Sequence, residues 1–141
     1  MMAERSFPFT PKSSRDLRIG DYWVTSLDDG TLACFQVTDL KAAGAGALKT
    51  LVVGVIDWRG TAPPAPADLR SRRVLVQGLT RIEAFADGRN SQILGNCTDT
   101  VGADELPSNY RAGGVGSVHH VWGWRILPKV ALDALKKSRP A

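Results

Sequence analysis

The stretch from Ile19 to Val37 constrains the fold more than any other part of the chain. Tyr22-Trp23-Val24-Thr25 and Leu32-Ala33-Cys34-Phe35-Gln36-Val37 are both β-prone, and Asp28-Asp29-Gly30 lies between them. Asp-Gly between two such runs is one of the strongest short-range hairpin signals. The turn needs backbone of positive φ, which Asp and Gly adopt at least cost. The Asp28-Asp29 pair is therefore assigned to turn chemistry, and the chain is expected to fold as a small β-rich domain.

Other segments extend this reading. Leu48 to Trp58 is nearly continuous in apolar and β-branched residues, which predicts a third strand covered on both faces. Gly54 within it marks a bulge or a close backbone approach. The proline-rich run from Arg59 to Pro66 reads as a rigid connector, and Asp68 to Arg73 as a short helix or turn. Val74 to Ile82 begins another strand system, open between one strand and two broken at Gly78. Glu83 to Arg89 ends in a second Asp-Gly turn, and loops are expected from Asn90 to Gly116. Val118 to Leu127 reads as a strand closed by Pro128, and Val130, Leu132 and Leu135 repeat at roughly helical spacing. The expected architecture is mainly β: a strongly bent antiparallel sheet or partly open small barrel with a C-terminal helix. Residues 1–17 form an extended lead-in, and 18–141 a single β-rich domain.

The composition is that of an ordinary globular protein. Its 141 residues carry 18 Lys and Arg against 14 Asp and Glu, a net charge of +4. That balance admits an acidic protein partner or a weak nucleic-acid surface and compels neither. Met1 to Ser6 lacks an apolar segment and no stretch is long enough to cross a bilayer, so a cytoplasmic location is expected. Cys34 reads as a small core residue and Cys97 as an exposed one, and whether they pair is left open. Neither sits at zinc-ligand spacing.

No motif specifies catalysis. Gly113-Gly114-Val115-Gly116 lacks dinucleotide-fingerprint spacing, and no phosphate-binding Gly-Lys-Ser/Thr element is present. Adjacent residues on a strand face opposite sides, so His119 and His120 do not share one metal; either retains the chemistry of a general base. No cofactor, metal ligand or catalytic residue is assigned. The candidate partner-binding residues are Trp58, Arg59, Arg70, Arg72 and Arg73, with Trp122, Trp124 and Arg125 as a second patch, because Trp and Arg are enriched in interface hot spots. Core packing is the competing explanation for the tryptophans.

The order of signals resembles a known group. Thr10-Pro11-Lys12-Ser13-Ser14 leads into Leu17-Arg18-Ile19-Gly20-Asp21-Tyr22-Trp23, then Leu27-Asp28-Asp29-Gly30 and a return strand ending at Val37, with an aliphatic strand from Leu51 to Trp58. This pattern is similar to the twenty-sixth family of immunity proteins from bacterial polymorphic toxin systems, over about the first 60 residues. Ser26 stands where a proline is frequent, and the chain is basic where many nuclease-neutralising proteins are acidic. The resemblance implies a protein that binds and neutralises a cognate toxin, and the basic charge makes an acidic toxin surface at least as plausible as a nuclease target. The alternatives are a small basic β-barrel that binds nucleic acid and an enzyme with a His119 or His120 base.

Overall fold

A computed structural model of the chain describes residues 6–27, 29–40, 50–85, 92–103, 122–123 and 126–138. The hairpin forms as expected. β1 (Asp21–Ser26) pairs antiparallel with β2 (Leu32–Leu40), with Trp23 opposite Phe35 and Ser26 opposite Leu32. The Gly30 amide donates to Leu27 O (3.1 Å) and the Leu27 amide to Thr31 O (2.8 Å), which defines a three-residue loop. Gly30 closes it at φ +84°, where a side chain would be strained.

β3 (Thr50–Gly60) and β4 (Val74–Arg81) follow, linked by the short helix α1 (Pro66–Leu69). β4 is one unbroken strand, with Gly78 opposite Val53. A two-residue strand, β5 (Gly95–Asn96), pairs with Asp21 and Tyr22 inside the region expected to be loop. The result is a five-stranded antiparallel sheet in the order β4-β3-β2-β1-β5. Register shifts between Ala33 and Phe35, Val37 and Asp39, and Val55 and Ile56 put irregularities into its centre, and such bulges bend a sheet. The sheet is not closed among the described residues. Residues 97–103, following β5, cross to the start of β4 instead, where Val101 bridges Arg73 in parallel. The N-terminal lead-in is tied down on the other side, since Phe9 and Ile93 exchange backbone bonds of 3.1 and 2.8 Å.

Both faces of the sheet are covered. β2 shows why: Ala33, Phe35 and Val37 face one side, and Cys34, Gln36 and Thr38 the other. On the first side, Trp23 stacks on Phe35 (centroids 5.5 Å) and meets Phe85 edge-on (4.8 Å). α2 (Leu127–Ser138) lies over this cluster with Leu127, Ala131 and Leu135 buried at four-residue spacing. Leu127, expected at a strand end, instead begins this helix. Pro128 sits in its first turn, where a missing N–H leaves no intrahelical bond unmade. On the second side, Tyr22, Cys34, Ile56, Trp58, Leu69, Val74 and Cys97 form a smaller cluster. Gly54 lies here: a Cβ on it would stand 2.5 Å from Val74 Cγ1 and 2.8 Å from Thr38 Cγ2, the close approach its position suggests.

Both cysteines are free and buried, so Cys97 is not the exposed residue its polar neighbours imply. Burial pushes the Cys34 thiol up, with Cys97 adding to the effect. Among the described residues no helix is long and apolar enough to cross a membrane.

Candidate functional site

The arginines at 70, 72 and 73 come together at the corner between α1 and β4. Pro66 starts α1 in a position that suits its fixed φ, and Asp68 accepts the Ala65 amide at 2.8 Å. Leu69, fully buried, anchors the helix in the second cluster. The chain then turns through Ser71 at φ +64°, a conformation that costs a non-glycine residue about 1–2 kcal/mol. Backbone bonds on every side hold it there: Ser71 N–H to Asp99 O (2.8 Å), Arg72 N–H to Leu69 O (3.1 Å), Val101 N–H to Arg72 O (2.9 Å) and Asp57 N–H to Arg73 O (2.8 Å).

The three guanidiniums on this frame are exposed and differently held. Arg72 Nε donates to Asp68 O and its Nη1 to Asp57 O, both at 3.0 Å. Arg70 faces Asp99 at 3.5 Å, an ion pair with 67% and 61% of its side chains exposed and therefore worth little in stability. Arg73 lies along the crossing segment, where a Cβ on Gly102 would stand 3.0 Å from its Nη1.

The other candidates are placed elsewhere. Trp58 is 7% exposed and belongs to the second cluster, so core packing accounts for it and its ring face is not offered to a partner. Arg59 is committed to the hairpin loop: its Nε donates to Thr31 Oγ1 at 2.8 Å and its Nη2 pairs with Asp29. Asp29 is held below the usual carboxylate range, first by hydrogen bonds from Thr31 and then by Arg59. Trp122 is half-buried against the helix-side core, its amide bonded to Leu79 O and its carbonyl to the Thr80 hydroxyl. It stands between two surface grooves of about 560 and 520 Å³. Trp124, Arg125, His119 and His120 lie outside the described residues.

A polar seam beneath the crossing segment corresponds to none of the sequence motifs. Gln36 Nε2 donates to Cys97 O and, at 3.4 Å, to Gly20 O, and its Oε1 accepts the Thr100 hydroxyl at 2.6 Å. Thr38 donates to Gln77 Oε1 at 2.7 Å, and Gln77 Nε2 to Ala103 O at 3.0 Å. These bonds clamp residues 97–103 onto the sheet as a strap and leave a cleft of about 460 Å³ beside it, lined by Ile19, Gln36, Thr38, Thr100, Val101 and Gly102 among others. The signal in the sequence was the polar alternation of Gln36 and Thr38 after the apolar run from Leu32 to Phe35. The described residues contain no group of three or more His, Cys, Asp or Glu placed to hold a metal.

Comparison with protein-family models, with curated proteins and with solved structures gives no match to this chain.

Proposed function

We propose that this chain is an immunity-type protein, which binds a cognate bacterial toxin stoichiometrically and blocks it without turnover. One observation carries the reading: Arg70, Arg72 and Arg73 stand exposed on a backbone pinned from α1, β3 and the strap. Binding a partner costs the freedom of the groups that engage it, and a frame already fixed lowers that cost. Arginine is also the side chain best suited to bidentate carboxylate recognition. A partner with an acidic surface fits this corner, and the excess of basic residues favours its approach. The sequence resemblance set out above points the same way.

The nucleic-acid reading fits the corner less well. Asp68 and Asp99 are exposed among the arginines, and carboxylates interleaved with guanidiniums repel a polyphosphate while leaving a protein surface room to match both signs.

The test is capture from the source cells by the full chain, with nuclease-treated lysate and high salt, followed by expression of the captured protein in a bacterial host. The reading expects a protein that arrests growth alone and is tolerated when this chain is co-expressed. It expects the R70A/R72A/R73A variant to fold and fail to rescue. A captured protein that is harmless, or recovery of nucleic acid alone, contradicts it.

A further inference from the structure

The strap joins the arginine corner to a feature of different chemistry. Ile19 is 40% exposed and Val101 44% exposed, and both line the cleft of about 460 Å³. Val101 is also the residue whose backbone bridges Arg73 and accepts the Val74 amide at 2.8 Å. The apolar rim and the arginine corner therefore meet on the strap, because Val101 and Gly102, which line the cleft, also adjoin Arg73. Below the rim the buried amides and hydroxyls of Gln36, Thr38 and Gln77 already have partners within the fold. What the cleft offers a visitor is the apolar lip of Ile19 and Val101, set beside the Thr98 and Thr100 side chains. An apolar centre beside arginines is the anatomy of a protein-docking hot spot.

We propose that this cleft takes an acidic segment of a partner protein: one apolar side chain seated between Ile19 and Val101, with flanking carboxylates on Arg70, Arg72 and Arg73. The corner sets three guanidiniums against the exposed carboxylates of Asp68 and Asp99, a net positive charge that favours an acidic segment over a basic or neutral one. The inference rests on the reading of this chain as a protein-binding immunity factor and specifies the chemistry of the surface it recognises.

The experiment is an NMR titration of the isotope-labelled full chain with a blocked synthetic peptide, Asp-Glu-Leu-Glu-Asp. The same peptide with Ser in place of Leu and an oligothymidylate serve as comparison probes. The Leu peptide is expected to shift the Ile19 and Val101 methyls and the side-chain N–H signals of Arg70, Arg72 and Arg73. It is expected to bind at least ~10-fold more tightly than the Ser peptide, the effect of burying one leucine side chain. Val101→Asp should abolish the difference between the two peptides. Ile126→Asp, which alters an equally exposed residue at the start of α2, should leave it unchanged. Shifts that avoid Ile19 and Val101, equal affinity for both peptides, or tighter binding of the oligothymidylate overturn the proposal. These results are separable from toxin rescue. Rescue without peptide docking removes the cleft and keeps the immunity function; docking without a captured toxin does the reverse.

Discussion

Gln36 holds the strap to the sheet, so its replacement should loosen the part of the molecule that carries Val101. Gln36→Met keeps the side chain's length and apolar stem and removes its amide. The Gly20 carbonyl still receives the Cys97 amide at 3.0 Å, and Thr100, half-buried, can turn its hydroxyl to water. The Cys97 carbonyl loses the Gln36 donor at a residue only 5% exposed. An unsatisfied buried group costs about 1–3 kcal/mol, so a loss of about 2 kcal/mol is expected. With a urea dependence of about 2 kcal/mol per molar, the unfolding midpoint should fall by about 1 M at unchanged slope. Gln36→Glu should be worse: a carboxylate offers no donor to Cys97 O and places a charge in a site 2% exposed. Urea unfolding gives the magnitude, and amide hydrogen exchange should show faster opening at Cys97 and Val101. A Gln36→Met loss below about 0.5 kcal/mol, or a Glu variant no less stable than the Met variant, would refute this account of the strap.

Three further outcomes follow from the same geometry. Gly54→Ala should destabilise by about 1–3 kcal/mol through overpacking, with Val74→Ala recovering part of the loss in a double-mutant cycle read by urea unfolding. Burial first, and then Cys34 and Cys97, raise the Tyr22 phenol to about 12 from an ordinary value of 10.0. The folded state therefore holds this proton longer than the unfolded chain, and stability should fall as pH rises between those values. Tyr22→Phe should flatten that alkaline limb while losing about 1 kcal/mol at neutral pH with the 2.8 Å bond to Pro64 O. Asp29 has its carboxyl lowered in the fold, so its contribution is present above the ordinary carboxylate range and lost as pH falls through the folded value. The midpoint difference between wild type and Asp29→Asn should accordingly shrink on acidification.

The parts of this fold that were legible in the sequence are those fixed by neighbours in the chain. Asp29 and Gly30 write the hairpin loop locally, Leu132 and Leu135 sit at helical spacing, and the aliphatic run of β3 announces a strand covered on both sides. The parts that were not legible depend on distant pairing. β5 is two residues long and exists because Asp21 and Tyr22 present an edge to it, so nothing in Gly95-Asn96 itself reads as strand. Trp58 followed by Arg59 suggested a surface pair. A strand sends successive side chains to opposite faces, and here one enters the second cluster while the other reaches Asp29. The arginine corner was visible as a cluster in the sequence. Its rigidity was not, because it comes from the strap, and the strap's anchors Gln36, Thr38 and Gln77 are scattered over two strands.

The proposal that the α1–β4 corner grips a protein partner is tested most directly by calorimetric titration of the captured protein against the full chain and its R70A/R72A/R73A variant. A single site with one partner per chain is expected, and an affinity weakened at least ~30-fold in the variant, the scale of a hot-spot loss. An affinity unchanged within about twofold, with the variant folded, would place the interface elsewhere and contradict the account.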